Sequence, residues 1–186
     1  MKDFDAYCGM MRVFLGDTGE RRYTAAALEL ALSEALAQLD MYAPRVETVK
    51  VEPDHGFVRP FSSVGEVVCL RRENGVPVPF SDEGGFLRIY PRLPAGTKLT
   101  AELRLPHTIR GMENAAVTTV PDALTRTIVS GASAFAMRIR VRTVTEIFGK
   151  RPEDAESLLA QAEELLKEFI SEMDEFNRRN VSNPWE

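Results

Sequence analysis

A run of short β-type segments separates two stretches whose apolar residues recur at helical spacing. Residues 1–44 and 107–179 have the helical pattern, and residues 45–106 have the β-type segments. A helix must bury one apolar stripe and a strand one apolar face, so each part needs a partner surface. This order predicts an α+β protein: an antiparallel helical bundle with a small antiparallel β-sheet inserted and a long C-terminal helix.

Two helices are predicted before the β-type segments. Residues 3–15 begin at Asp3, which can cap a helix, and Gly16 suits the position just past its end. Thr24 can cap a second helix, which ends before Pro44 because a residue that precedes proline avoids the helical conformation. Its leucines form one buried stripe, which we expect Leu30 to broaden.

Two more helices are predicted after them. Pro121 opens the third, although the alternation of apolar and polar residues over 137–145 is also typical of a strand. We favour a helix there because the pattern before it is helical and the segment ends at Gly149. Pro152 opens the fourth helix, which continues to Arg179 and whose ~26 residues would span roughly 39 Å.

The central segment predicts about five short antiparallel strands, with the first at a sheet edge. Asn74-Gly75 lies between extended runs and is a strong hairpin signal. Pro77 and Pro79 confine the returning arm to a sheet edge or make it irregular, because proline has no N–H to donate. We expect a small sheet packed on a helix.

Net charge, cysteine content and hydropathy indicate whether the chain is suited to binding DNA and in which compartment it is expected. The net charge is −5 without a basic block, which disfavours a dedicated DNA-binding clamp. Cys8 and Cys69 are far apart and without metal-type spacing, so they are expected to be free thiols in a reducing compartment. No apolar stretch approaches the ~18 residues of a membrane span, and the acidic N-terminal residues are unlike a secretory signal, so a cytoplasmic protein is expected.

No motif predicts an enzyme. His55 and His107 are the two histidines, and neither has a metal-type spacing with another ligand. His107 is expected to make local hydrogen bonds or to lie at the surface rather than to act in catalysis. The common serine hydrolase signature is missing, and the glycine-containing segments have the context of hairpins rather than of phosphate loops. We therefore expect no catalytic residue, no metal and no cofactor.

Arg138, Arg140 and Arg142 form the only local basic cluster. On a helix, Arg138 and Arg142 share a face with Glu146, whereas Arg140 points elsewhere. We expect Arg138, Arg142 and Glu146 to form ion pairs within the chain or between neighbouring subunits. Contact with nucleic acid is the alternative.

Residues 180–186 form a polar tail with one large aromatic side chain. Trp185 is the only tryptophan of the chain, and Pro184 cannot continue a helix. Val181, Pro184 and Trp185 are therefore candidates for binding a partner. The alternative is a tail that folds back on its own domain.

Two segments, taken in the order in which they occur, resemble a known family. "GDTGERRYTAAALELALSEAL" resembles the start of the head-to-tail adaptor (connector) proteins of tailed bacteriophages, and "TVPDALTRTIVSGASAFAM" resembles the segment after their β-rich insertion. The resemblance implies a structural virion protein. Its copies, usually twelve, would form a ring at the head–tail junction after assembly in the host cytoplasm. The ring would dock on the portal, extend the DNA channel and present a surface for tail or neck proteins, with DNA only passing through and no membrane involved. The partner of Val181, Pro184 and Trp185 would then be the portal or a neighbouring subunit.

A ring requires surfaces that two neighbouring copies can bury against each other. The third helix has a second apolar stripe, which we expect a single bundle to leave partly uncovered: Met137, Val141, Val144 and Phe148. The alternative function is a monomeric cytoplasmic module that binds a peptide or glycan through the β insertion. A small cytoplasmic enzyme with unusual chemistry is a further alternative, and it should show a pocket with converging titratable groups.

Overall fold

The computed structural model describes residues 2–54, 56–58, 65–83, 86–94, 96–149 and 151–180. They divide into two compact units. The helical unit holds the described residues up to Ala43 and from His107 onward, and the β unit is Pro44–Pro106. The helices are α1 (Phe4–Phe14), α2 (Ala25–Tyr42), α3 (Thr125–Phe148) and α4 (Ala155–Asn180), with a 3-10 turn at Asp122–Leu124 just before α3. The α+β class predicted from the sequence, including the long C-terminal helix, is confirmed.

Side-chain caps fix the starts of the first two helices where the sequence predicted them. Asp3 accepts a hydrogen bond from the backbone N–H of Ala6 at 3.1 Å, and Thr24 accepts one from Ala27 at 3.2 Å. Each cap satisfies an N–H group that has no partner within the helix. Past the end of α1, Gly16 has a φ of +63°, a conformation that favours glycine.

Helix α3 runs without a break through residues 137–145, so the strand alternative for this segment is wrong. Met137 and Val141, one helical turn apart, are both buried, which is the spacing that a helix requires. Gly149 then ends the helix in a left-handed conformation and donates its N–H to the carbonyl of Thr145.

Helices α3 and α4 pack antiparallel. Thr127, near the start of α3, donates a hydrogen bond to Glu172 near the end of α4 at 2.6 Å. At the opposite end, Arg140 forms an ion pair with Asp154, which lies just before α4, at 3.3 Å. Buried side chains from all four helices form the main core of the unit; the largest are Tyr7, Met11, Leu28, Leu32, Leu39, Ile128, Phe169 and Met173.

The second apolar stripe of α3 is mostly covered within the chain. Met137 and Val141 are buried, and Met137 belongs to a small cluster with Ala134 and Ala162. Only the C-terminal part of the stripe remains open, with Val144 half-buried and Phe148 exposed. The apolar surface left for a partner is therefore smaller than the sequence pattern predicts, because α4 covers the first half of the stripe.

The β unit contains two three-stranded antiparallel sheets rather than the single sheet that the sequence predicts. In chain order, the strands are β1 (Arg45–Val51), β2 (Phe57–Val58), β3 (Glu66–Arg72), β4 (Phe80–Asp82), β5 (Leu87–Ile89) and β6 (Leu99–Leu105). One sheet has the order β1-β6-β3 and the other β2-β5-β4. Strand β1 is thus an edge strand, as predicted.

Each sheet contributes one apolar face to a shared core. Buried side chains from both sheets are in this cluster: Val51, Leu70, Leu99 and Ala101 from one, and Val58, Leu87 and Ile89 from the other. The expectation of a sheet packed on a helix misses this arrangement, because two-residue and three-residue strands carry too little pattern to be recognised as a second sheet.

The Asn74-Gly75 hairpin is present, and its prolines direct the returning arm. Arg72 donates its N–H to the carbonyl of Val76 at 2.9 Å, and Gly75 has a φ of +82°. Pro77 makes only an isolated bridge to Arg71. The chain then leaves this sheet and enters the other as β4, because proline cannot continue the ladder of hydrogen bonds.

Candidate functional site

A groove of about 630 Å³ lies on the surface of the helical unit between α2, α3 and α4. We call it the arginine groove and define it by Leu30, Phe135, Arg138, Ile139, Arg142 and Leu159. Phe135, Arg138, Ile139 and Arg142 follow helical spacing along α3, so they line one side of the same helix. The groove has the size of a site for a ligand or a short peptide segment.

The walls of the arginine groove are apolar and only partly covered. Leu30 is 52% exposed, whereas the sequence led us to expect it in the buried stripe of α2. The buried residues of α2 do not include Leu30; they are Leu28, Ala31, Leu32, Ala35, Leu36 and Leu39. Phe135, Ile139 and Leu159 are half-buried. A strip of apolar surface therefore remains open to a partner.

The charges of the groove are mainly positive. Arg142 donates to Glu146 at 2.7 Å, one helical turn away. Arg138 is exposed, and none of the carboxylates in the described part of the chain lies within ion-pair distance of it. Arg151 and Glu34 also line the groove, which gives three arginines against two glutamates. The groove is thus a positive site on a chain whose net charge is −5.

The structure brings together three residues that were predicted to act as a group. Arg138, Arg142 and Glu146 all line the arginine groove, which agrees with the shared helix face that their spacing predicted. Arg142 and Glu146 pair within the chain, and a pairing of these residues between subunits stays a prediction. The other predicted partner-binding residues, Val181, Pro184 and Trp185, lie outside the described residues.

Arg140 has a role that the sequence did not reveal. Its guanidinium pairs with Asp154 at 3.3 Å and lies over the ring of Tyr23, 5.7 Å from the centroid. It thereby connects α3 to the segments that precede α2 and α4. The two partners lie far away in sequence, so no local spacing could have indicated the contact. Arg151 and Leu159 of the groove were missed for the same reason.

Exposed apolar side chains also lie at the ends of two helices. Ile147 and Phe148, at the C-terminal end of α3, are 68% and 74% exposed. They follow directly after Glu146, which lines the groove. Val13 and Phe14 are exposed at the end of α1. Each of these two helix ends thus leaves two large apolar side chains open to solvent.

His107 is a structural residue, with both ring nitrogens engaged. Nε2 lies 3.0 Å from the carbonyl oxygen of Ala43, and Nδ1 lies 3.2 Å from that of Thr119. Its backbone N–H donates to Asp40 at 2.7 Å. Burial raises the pKa of Asp40, although the hydrogen bond and the proximity of His107 act in the opposite direction. His107 thus forms its hydrogen bonds mainly with residues that lie far away in sequence rather than with local ones. His55 lies outside the described residues.

A metal-binding arrangement of three or more His, Cys, Asp or Glu side chains does not occur within the part of the chain that the structure describes. None of the helices in that part combines the length and the apolar character needed to cross a membrane. In comparisons with known proteins, no family model matches the chain, and no curated protein is significantly similar to it in sequence.

Proposed function

We propose that this protein is a structural subunit of a tailed bacteriophage, a head-to-tail adaptor whose copies form a closed ring on the portal. The ring extends the DNA channel and offers the attachment surface for tail or neck proteins. The order of the elements supports this proposal. Two helices, a β unit, a third helix and a long fourth helix follow one another as the resemblance of the sequence to adaptor proteins implies.

The observation that carries the proposal is the arginine groove with its exposed surroundings. It combines open apolar walls with a cation, Arg138, that has no acidic partner among the described residues, and the exposed Ile147 and Phe148 follow next to it along α3. Such a surface is costly to leave in water and gains free energy when a complementary surface covers it. An assembly subunit has that complementary surface on its neighbour.

A ring requires that each copy present two different surfaces, one of which fits the other on the next copy. The arginine groove supplies a concave, positive surface on the helical unit. The negative net charge of the chain also suits a channel through which DNA has to slide without binding. In this role DNA is passing cargo, and the ring belongs to the virion after assembly in the host cytoplasm.

The molar mass of the protein with and without the portal of its phage tests the proposal. Light scattering coupled to size exclusion should show a defined complex of many copies when the two proteins are mixed. The free chain can remain a monomer until the portal is present, so the mixture is the decisive sample. A chain that stays monomeric and does not associate with the portal would contradict the proposal and favour the monomeric binding module.

A further inference from the structure

We propose that the arginine groove receives residues 181–186 of a neighbouring copy, with Trp185 between the apolar walls and the Glu186 carboxylate on Arg138. This inference rests on the proposed ring and identifies the contact that holds adjacent subunits together. The occupant is thus a second copy of this chain, and the contact is directional, from the tail of one copy to the groove of the next.

The length of the chain favours the tail of a neighbour over that of the same copy. Leu159 lines the groove near the start of α4, and Asn180 ends the helix 21 residues later. At 1.5 Å per residue, Asn180 lies about 31 Å from Leu159. The six residues 181–186 span at most about 21 Å when fully extended. The backbone of a copy's own tail therefore ends about 10 Å short of the groove. The side chains of Glu186 and Arg138 would close this gap only if the whole tail were stretched straight along α4, which is entropically costly. The tail of an adjacent copy does not have to follow this path.

The chemistry of the tail matches that of the groove. Trp185 is the only tryptophan of the chain, and Leu30, Phe135 and Leu159 offer it open apolar walls. A tryptophan that enters such a groove is the kind of anchor that dominates protein contacts. Pro184 keeps the approach extended, because it cannot continue the helix of α4.

Charge complementarity favours the same occupant. Glu186 follows Trp185 directly, and Arg138 lies in the groove without a carboxylate partner in the described part of the chain. Arg142 is already paired with Glu146, so Arg138 and Arg151 are the arginines of the groove that have no ion pair among the described residues. Of these two, Arg138 lies one helical turn from Phe135 and Arg142 on α3, beside the apolar walls. An ion pair that is covered by the docked tail is screened less than an exposed one.

The test measures the fluorescence anisotropy of a labelled peptide, NVSNPWE, with an amidated C-terminus, as it binds the full-length chain. The amide leaves Glu186 as the only carboxylate of the peptide. We expect saturable binding to the wild-type chain at low concentration. Binding that remains undetectable up to about 1 mM would overturn the inference. The effective concentration between linked subunits is in the millimolar range, so a weaker contact would stay largely unoccupied within a ring.

Two pairs of variants locate the binding site. Arg138→Glu should weaken peptide binding by about tenfold or more, whereas Arg126→Glu, an exposed arginine on the same helix outside the groove, should leave it unchanged. Leu30→Ser should weaken binding, whereas Met41→Ser, also exposed on α2, should not. All four positions are exposed, so the variants should retain their fold, as thermal unfolding can verify. Equal effects within each pair would contradict the assignment of the groove.

The wild-type chain and Trp185→Ala distinguish a neighbouring tail from the tail of the same copy. In dilute samples the groove of a monomer should be free, so both chains should bind the peptide equally. Binding to Trp185→Ala alone would show that a chain fills its own groove, which overturns the inference. A ring that still forms on the portal with Arg138→Glu would also overturn it, yet leave the proposed function intact. If the wild-type chain did not associate with the portal at all, the proposed function itself would be contradicted.

Discussion

Gly131 of α3 lies directly against the ring of Phe169 of α4, so closely that a Cβ on Gly131 would be 2.6 Å from the ring. Real Cβ atoms essentially never approach other atoms this closely. Phe169 is almost fully buried. The missing side chain at position 131 therefore allows the two longest helices to approach each other around this ring.

Gly131→Ala should lower the free energy of unfolding by about 1–3 kcal/mol, because the added methyl group displaces Phe169 or separates the helices. Alanine is the better helix former by roughly 1 kcal/mol, so helix propensity alone predicts the opposite sign. Chemical denaturation of both proteins measures the difference.

Gly9→Ala is the matched control. Gly9 is exposed within α1, and nothing lies within 4 Å of the Cβ that this substitution adds. Propensity then acts alone and should stabilise the protein by about 0.5–1 kcal/mol. If both substitutions changed stability in the same direction, the close contact with Phe169 would not be what decides the effect at position 131.

A second prediction concerns Asp17, a buried carboxylate that organises the α1–α2 loop. It accepts hydrogen bonds from the backbone N–H groups of residues 21–23, and its Oδ2 lies 3.4 Å from Arg12. Asp17→Asn replaces one acceptor by an NH₂ group that faces these donors. We expect the free energy of unfolding to fall by about 2–4 kcal/mol. Glu164→Gln, at an exposed position on α4, should have little effect.

The same carboxylate should make stability depend on pH at the acid side. Burial by itself raises the pKa of Asp17, but the N–H groups of residues 21–23 and the Arg12 guanidinium outweigh it and lower the pKa. A lowered pKa in the folded state stabilises the protein above the pKa of the unfolded chain, near 3.9. This stabilisation is lost as the pH falls toward the folded-state value. Asp17→Asn should reduce that acid-side slope; an unchanged slope would contradict the assignment.

The two cysteines should differ in reactivity. Burial raises the pKa of the Cys8 thiol to about 11, despite the nearby charge of Arg12. The thiolate is the reactive form, so Cys8 should react with a thiol reagent at pH 8 about a hundredfold more slowly than an ordinary cysteine. Cys69 is only half-buried. Cys69→Ser should therefore remove the fast phase of labelling and Cys8→Ser should retain it, and the reverse pattern would show that Cys8 is accessible.

Arg140 and Arg142 of α3 should differ in how much they contribute to the stability of the fold. Arg140 is largely buried between Asp154 and Tyr23, so Arg140→Gln should cost about 1–2 kcal/mol of stability. Arg142 pairs with Glu146 at the surface, and its side chain is 80% exposed. Arg142→Gln should leave the melting temperature nearly unchanged, because exposed pairs contribute little. Similar losses of stability in both variants would contradict this difference.

Local chemistry allowed much of the helical part to be predicted. Asp3 and Thr24 mark helix starts because their side chains accept hydrogen bonds from backbone N–H groups three residues later. Gly149 marks a helix end because it adopts the left-handed conformation that stops α3. Contacts over long sequence distances could not be predicted in this way. Arg140 meets Tyr23 and Asp154 only after three segments have packed together. The exposure of Leu30 likewise depends on which side of α2 the other helices cover.

The β unit shows a different limit. The hairpin at Asn74-Gly75 was recognisable because its turn residues determine the conformation. The second sheet was not, since β2 has two residues and β4 and β5 have three each. Strands this short show no alternation to count, and their pairing is fixed by the shared core. Of the candidate site, the sequence predicted two arginines and one glutamate of α3 as a group, but not the walls contributed by α2 and α4.

The central claim is that copies of this chain form a closed ring on the portal through contacts between the helical units of adjacent copies. An electron cryo-microscopy reconstruction of the chain bound to the portal of its phage tests it most directly. The account predicts a rotationally symmetric ring in which the arginine groove of each copy is covered by residues of its neighbour. A reconstruction with single copies that do not contact one another, or with an uncovered groove facing solvent in every copy, would contradict it.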